Sequence, residues 1–328
     1  MVDRVFLWER LDPRDESFAW LQAQGVLPCP GRLNGDASLA RYPEAALIAD
    51  AAGCSALIGS GGARITRTVL EALPDLRVVS KVGVGVDNID VAVATANGIA
   101  VCHTPDEDDS TSVAEHAMAL MLALVKQLPA WPVAHVRSGG WRTPSVFTGR
   151  LAGQTVGVVG FGRIGRALAQ RLQGWGVDLI CHDVLPVAPG AGVRPVPLAQ
   201  LLHDSDVVTL HCPPPADGRP LLDEAAIASM KRGSLLINTA RSALVDTPAL
   251  ARALHSGRLA GAAVDVFHPE PPAADDPLLH APNTILTPHV ASWTHEGYFR
   301  RRQTAAENAI KVLRGQPGAH VVNPEVLR

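Results

Sequence analysis

The chain carries little net charge, no paired-cysteine motif and no long uninterrupted apolar run, and each shortage removes a class of function. A formal charge of −3 over 328 residues gives no broad pull toward nucleic acid or a membrane surface. The five cysteines, Cys29, Cys54, Cys102, Cys181 and Cys212, are scattered without a Cys-x-x-Cys pair. Three lie in apolar, strand-like runs, so buried free thiols in a reducing, cytoplasmic compartment are the expected state. The first ten residues lack the apolar segment of a signal peptide. The most continuous apolar stretch, residues 113–125, contains Glu115 and His116 and is too short to span a bilayer. The twelve histidines are dispersed, and neither His289 nor His295 has ligand spacing around it, so no metal is expected. A Gly-x-Ser-x-Gly elbow is absent, which leaves serine hydrolase chemistry without support. There is no internal repeat and no low-complexity tract, and the length leaves no room for a further regulatory domain. What the chain does have, 47% apolar and 19% charged residues, suits a soluble globular enzyme of two domains.

The most informative stretch is residues 156–166, Val-Gly-Val-Val-Gly-Phe-Gly-Arg-Ile-Gly-Arg. A buried strand over 155–159 leads in and a helix over 164–172 leads out. Gly160 allows the tight turn, Gly162 lets a pyrophosphate approach the backbone, and Gly165 lets the helix pack closely on the strand. The helix N-terminus offers free N–H groups and partial positive charge to phosphates. A glycine triplet alone also fits a glycine-rich turn in another α/β protein, so its context decides. A second strand over 177–183 ends in Asp183, whose carboxylate suits the adenosine ribose hydroxyls and repels a 2′-phosphate. The following Val-Leu-Pro-Val offers no cation to a phosphate. The expected cofactor is NAD rather than NADP.

The rest of the chain alternates strand and helix. In the first hundred residues the runs 56–58, 78–79 and 99–101 read as buried strands, and 45–52, 68–73 and 90–96 as helices. No second nucleotide fingerprint occurs there, so this half is assigned to the substrate. Residues 111–127 form the strongest helix signal. Apolar side chains ring it, which predicts burial on all sides, between domains or between subunits. A loop over 138–144 leads to the fingerprint. Beyond Asp183 the strands 206–211, 234–238, 261–267 and 284–286 alternate with helices 198–202, 225–230 and 247–255. This predicts a six-stranded doubly wound parallel sheet. The last helix, about 297–315, is basic at its start, and an extended tail follows.

Arg241, Glu270 and His289 follow successive strands of the second half, on the side where open α/β sheets bind ligands. Their types suit reduction of a 2-keto acid. A guanidinium holds a carboxylate and polarises the carbonyl, an imidazole gives or takes a proton near neutrality, and a carboxylate beside the imidazole orients it and favours its charged form. Each residue taken singly also fits a surface or structural role. Their joint placement downstream of the fingerprint is what points to catalysis.

With these residues in view the chain resembles the D-isomer-specific 2-hydroxyacid dehydrogenases, most closely the phosphoglycerate dehydrogenase branch, over about residues 50–325. The likeness rests on Gly83-Val84-Gly85-Val86-Asp87-Asn88-Ile89-Asp90, on Ser112-Val113-Ala114-Glu115-His116, on the fingerprint, and on residues 230–241 with the Glu270 and His289 segments. It implies a doubly wound (Rossmann) cofactor domain, residues 104–295, inserted into a smaller flavodoxin-like α/β substrate domain, residues 1–103 plus 296–328. It also implies a homodimer held largely by the cofactor domains and the 113–125 helix. Arg241, Glu270 and His289 become the catalytic set. Val84 and Gly85 meet the substrate carboxylate near the nicotinamide. Arg163 and Ile164 lie over the pyrophosphate, while Cys212, Thr239, Ala240, Asp265 and residues 289–292 with Ser292 line the cofactor cleft. Asp265 is expected to receive the nicotinamide carboxamide N–H, the other reading being an Asp capping a local turn.

The substrate stays open at this stage. Lys81 stands where the branch often carries a cation, but it also fits a solvated lysine, and Arg64 is a second candidate. The loop 59–63 carries no charge where phosphoglycerate enzymes tend to place an arginine, and shorter members of the family often reduce glyoxylate or hydroxypyruvate. An NAD-sensing, corepressor-like protein is the alternative from another class. Formate oxidation is disfavoured by a carboxylate at Glu270, and phosphite oxidation is left open.

Overall fold

The computed structural model describes residues 2–9, 15–33, 41–105, 107–130, 133–141, 147–187, 192–317 and 319–327. The expected loop over 138–144 falls partly outside them, and its described part is a turn. The chain divides into two compact units, one built from residues 1–106 and 295–328, the other from residues 107–294. The second is therefore an insertion into the chain of the first.

The first unit holds strands β1 (Arg4–Glu9), β2 (Leu27–Leu33), β3 (Ala56–Gly59), β4 (Val78–Lys81) and β5 (Ala100–Cys102). They form one parallel sheet in the order β2-β1-β3-β4-β5, which is the flavodoxin-like order. Apolar clusters cover both faces. Phe6, Trp8, Leu57 and Val79 face one layer, and Val5, Leu7, Ile58 and Val78 face the other, against the helix His295–Leu313. That helix starts two residues before the expected span. Of the three arginines at its start, Arg300 is exposed while Arg301 and Arg302 are buried. Arg302 donates from Nη1 to Glu9 at 2.8 Å and from Nε to Asp15. Strands β1 and β2 escape the sequence patterns. β1 is a short apolar run that periodicity cannot tell from a helix segment, and β2 carries two prolines and a glycine, tolerated because it is an edge.

The second unit holds β6 (Thr155–Val159), β7 (Asp178–His182), β8 (Val193–Pro195), β9 (Val207–Leu210), β10 (Leu235–Asn238), β11 (Gly261–Val264) and β12 (Thr284–Leu286). Their order is β12-β11-β10-β9-β6-β7-β8, parallel throughout. The sheet has seven strands where six were expected. The added one, β8, is a three-residue edge strand ending in proline, the kind that leaves no alternating pattern. Side chains alternate between two apolar layers, with Val156, Val158, Ile237 and Ala263 on one face and Val159, Val208, Leu236 and Val264 on the other. This is how a sheet covered on both sides reads as continuous apolar runs. The helix Glu107–Val125 packs within this unit on β10, β11 and the helix Arg163–Arg171. Burial on all sides is not what the single chain shows. Val113, Ala117, Met121 and Leu124 are buried, Met118 and Leu122 are half-buried, and Glu115 and Ala119 are exposed. Among the described residues no single helix is long and apolar enough to cross a membrane.

Candidate active site

Strand register decides which side chains meet. His182, Val159, Leu210, Asn238, Val264 and Leu286 lie side by side across the second sheet. Whatever follows these residues emerges at one carboxyl edge, and the order reverses there between β6 and β9, the switch point where such sheets bind ligands. Gly160, Asp183, Cys212, Arg241, Glu270 and His289 all come from that edge.

The glycine loop has the geometry its spacing requires. Gly160 has φ +89°, and a Cβ there would lie 2.6 Å from the carbonyl of His211. A Cβ on Gly165 would lie 2.2 Å from the carbonyl oxygen of Gly160, so only glycine lets the helix Arg163–Arg171 pack on β6. Gly162 is the N-cap, with open space where its Cβ would be. Arg163 is exposed and Ile164 half-buried beside it. Asp183 accepts from Phe161 N at 2.7 Å and from Leu185 N at 2.9 Å, which fixes the carboxylate between the two loops. A cleft of about 380 Å³ opens alongside, lined by Asp183, Val184, Leu185, Pro186, Val196 and Pro197.

Two buried polar atoms at this edge have no hydrogen-bond partner, Thr239 Oγ1 and His211 Nδ1. Buried polar atoms are ordinarily satisfied, so both suit contact with a ligand. His211 is held neutral, pushed down to about 4 by burial, and burial pushes the Cys212 thiol up to about 11. Both therefore offer uncharged surface. Ala240 and Ser292 are half-buried at the same edge.

His289 Nδ1 lies 2.9 Å from both Glu270 oxygens. Bonding to a carboxylate makes Nδ1 the donor and leaves Nε2 for proton transfer. Phe267 N also donates to Glu270, at 3.1 Å. Burial pushes the Glu270 carboxyl up, but the hydrogen bond and charge of His289, the Phe267 N–H and the charge of Arg241 together hold it below the usual carboxylate range. Arg241 is fixed by its own strand end. Its Nη1 donates to Ala240 O at 2.7 Å, and Asn238 Nδ2 donates to its carbonyl at 2.9 Å. The guanidinium, carboxylate and imidazole therefore form one electrostatic group.

His289 sits at φ +55°, a region few side chains adopt, and the loop that keeps it there closes on Asp265. That carboxylate is fully buried. It accepts from Thr287 Oγ1 at 2.6 Å, Val290 N at 2.9 Å and Ala291 N at 2.9 Å. Three internal donors make Asp265 the clamp of the His289 loop, the local reading that the sequence allowed beside a contact to the cofactor amide. The strand-end position and the residue type had allowed this second reading.

The expected substrate residues Lys81, Val84 and Gly85 belong to the first unit. Lys81 is buried, with Nζ donating to Val82 O at 3.0 Å, so it is no solvated charge. Gly83, with φ +120°, donates from its N–H to Thr104 Oγ1 at 2.7 Å, and Val84 O lies 3.0 Å from His103 Nδ1. These bonds pin the loop with Val84 exposed and Gly85 half-buried. Arg64 is exposed. A larger hollow of about 740 Å³, lined by Asp178, Arg194, Lys231 and Arg258 among others, lies at the amino ends of the strands of the second unit, away from this chemistry. Among the described residues, no group of three or more His, Cys, Asp or Glu is placed to hold a metal ion.

Sequence reasoning passed over His116 as a functional residue, although it stood in a motif. Its Nε2 lies 3.2 Å from Thr287 Oγ1.

Residues 118–291 match the D-isomer specific 2-hydroxyacid dehydrogenase NAD-binding domain. The glyoxylate reductase of Korarchaeum cryptofilum is 40% identical over 282 residues, 84% of this chain and 84% of that protein. The D-3-phosphoglycerate dehydrogenase of Methanocaldococcus jannaschii is 40% identical over 271 residues, 81% of this chain but 51% of that protein, so the chain spans about half the length of this longer relative. The NAD complex of a formate dehydrogenase from Staphylococcus aureus superposes with TM-score 0.83 at 27% identity, covering 97% of each chain. The chain is therefore a member of the D-isomer specific 2-hydroxyacid dehydrogenase family, with NAD as the cofactor of its binding domain.

Proposed function

We propose that the chain reduces a small, unphosphorylated 2-keto acid such as glyoxylate or hydroxypyruvate to the D-2-hydroxy acid, and runs the reverse reaction with the oxidised cofactor. One observation carries the reading: Glu270 holds Nδ1 of His289 at 2.9 Å, beside Arg241 and on the same sheet edge as the glycine loop. When bound, NADH supplies the hydride. The chain supplies the rest. Gly160, Gly162, Gly165 and the first turn with Arg163 and Ile164 receive the pyrophosphate. Asp183 takes the ribose hydroxyls, the 184–187 and 196–197 cleft takes the adenine, and Thr239, Ala240, Cys212 and Ser292 line the inner part.

Arg241 binds the carboxylate and draws electron density from the carbonyl. His289 Nε2 gives its proton to the carbonyl oxygen as the hydride arrives at carbon, and takes it back in oxidation. Glu270 stays ionised throughout and steadies the imidazolium. Val84 and Gly85 add backbone contacts to the carboxylate, and the Lys81 charge biases that loop toward an anion. The residues 1–106 with 295–328 form the substrate domain, and residues 107–294 form the cofactor domain. The unphosphorylated substrate is supported by the uncharged 59–63 loop and by the near full-length match to a glyoxylate reductase. Phosphohydroxypyruvate is the second reading, supported by the equal identity to a phosphoglycerate dehydrogenase.

The chain pairs as a homodimer in the cytoplasm. Leu128, Val136, Trp141 and Phe147 are exposed large apolar side chains that follow the Glu107–Val125 helix in the chain, the kind of surface a second copy would cover. The five cysteines are free. Neither nucleic acid nor a membrane is a partner.

The test is NADH oxidation against glyoxylate, hydroxypyruvate, pyruvate, 2-ketoglutarate and phosphohydroxypyruvate, with product chirality determined. The expected result is the highest kcat/KM on glyoxylate or hydroxypyruvate with a D product where the product is chiral. Preference for phosphohydroxypyruvate overturns the substrate, and silence toward all five overturns the dehydrogenase reading.

A further inference from the structure

The motif Ser112-Val113-Ala114-Glu115-His116 contributes nothing to the chemistry assigned above, yet two of its side chains grip the segment that carries His289. Ser112 Oγ lies 3.2 Å from Thr294 Oγ1, and His116 Nε2 lies 3.2 Å from Thr287 Oγ1. The two are four residues apart on one helix, so they share a face one turn apart. Their partners are the two ends of residues 287–294, with His289 between them. We propose that Ser112 and His116 are positioning residues for His289, a two-point grip by which the Glu107–Val125 helix holds the acid–base loop. The proposal rests on the proton-transfer role given to His289 above.

The bonding order sets the direction of each hydrogen. Thr287 Oγ1 donates to Asp265 Oδ1 at 2.6 Å, so its one hydrogen is committed. It must therefore accept from His116, which fixes the Nε2–H tautomer of that ring. His116 Nε2 is also 3.7 Å from Asp265 Oδ1. Asp265 in turn holds Val290 N and Ala291 N, and His289 N donates to Thr287 O at 3.0 Å. A connected chain thus runs from the helix through a hydroxyl and a buried carboxylate to the backbone on both sides of the catalytic imidazole. A left-handed non-glycine residue is strained and persists only where its surroundings over-determine it. The grip supplies that determination. A displacement of about 1 Å in a reacting group lowers turnover by about 100-fold, so loss of the grip is expected to act on turnover and not on cofactor binding.

The test compares His116→Ala, His116→Gln, Thr287→Val, Thr287→Ser and the His116→Ala/Thr287→Val pair in the full chain. The readouts are kcat with the best keto acid, NADH affinity by fluorescence, and the melting temperature. His116→Ala should lose about 10- to 100-fold in kcat with NADH affinity within about twofold. A glutamine amide can also donate to Thr287, so His116→Gln should recover most of the loss. Thr287→Val should match His116→Ala, Thr287→Ser should stay near wild type, and the pair should be no slower than either single change, as members of one chain are not additive. Wild-type turnover in His116→Ala, equal slowing in the alanine and glutamine variants, or additive losses in the pair would each overturn the grip. If His116→Ala does not fold, the contrasts of His116→Gln with wild type and of Thr287→Ser with Thr287→Val decide alone. A wild-type protein silent toward every keto acid sinks the dehydrogenase reading, whereas an active wild type with an indifferent His116→Ala sinks only the grip.

Discussion

An imidazole works as a directed proton donor only when one nitrogen is held and the other is left to the substrate. At His289 the held nitrogen is Nδ1, bonded to both oxygens of Glu270. The Glu270 carboxyl lies below the usual carboxylate range. A group depressed in the folded state stabilises above its unfolded pKa and loses that contribution as pH falls through its folded value. Glu270 is therefore ionised throughout the neutral range, and any ionisation seen near neutrality in turnover belongs elsewhere. Reduction needs His289 charged and oxidation needs it neutral. Rates of reduction should fall with rising pH, and rates of oxidation should rise. In His289→Ala both limbs should vanish, with kcat lower by about 100-fold and NADH affinity unchanged. Steady-state pH profiles in both directions, with stopped-flow hydride transfer in the variant, check this. Parallel profiles in the two directions, or hydride transfer at full speed without the imidazole, would remove His289 from the role. The residue types and the strand-end positions were legible in the sequence. The bidentate contact was not, because it depends on how the loops after β11 and β12 curl toward one another.

At the scale of the element, the turn between β6 and the helix Arg163–Arg171 was legible in detail, since Gly160 and Gly165 each answer a steric demand of the fold, while the demand at Gly162 would come from a ligand. Those demands predict different failures. Gly165→Ala puts a methyl 2.2 Å from a backbone oxygen, so the helix must shift, and both stability and NADH affinity should fall. Gly162→Ala meets nothing within 4 Å at an ordinary negative φ of −72°. Its stability should change by no more than about 0.5 kcal/mol, while NADH binds at least about tenfold more weakly if the phosphates approach that backbone. Thermal denaturation beside NADH titration separates the two, and undiminished affinity in Gly162→Ala would place the phosphates elsewhere. What the sequence hid were edges and second roles. β2 and β8 both carry proline at a sheet edge, where the alternation that marks a strand is lost. Asp265 has the residue type and the strand-end position of a ligand contact, and the convergence of Thr287, Val290 and Ala291 on it shows that it also serves the loop. His116 sat in a recognisable motif, but its partner is 171 residues away in the chain.

The whole molecule consists of two units with separate apolar cores, and their stabilities have different sources. In the first, Arg302 is 2% exposed between Glu9 and Asp15, and Glu9 also accepts from Ser60 N at 2.6 Å. The trio joins the end of β1 to the final helix, two segments from opposite ends of the chain. Replacing the cation alone leaves two buried carboxylates without their counter-charge, a change that costs about 3–5 kcal/mol where one partner of a buried ion pair is removed. Arg302→Met keeps the apolar stem of the side chain, so the loss reads the guanidinium, its charge and the space it fills. The second unit gains from the cofactor instead. At a hundred times its dissociation constant, a ligand that binds only the folded form adds about 2.7 kcal/mol. In calorimetry, Arg302→Met should therefore lower one transition by about 10 °C or more, and NADH should raise the other. A single cooperative transition moved by both the substitution and the cofactor would mean that the inserted unit and its host do not unfold separately. A variant as stable as wild type would mean that the methionine packs as well as the ion trio it replaces, as some buried charge networks allow. Separate movement is the outcome expected of a cofactor domain that carries its own core and was inserted into a fold stabilised by contacts between its own two chain ends.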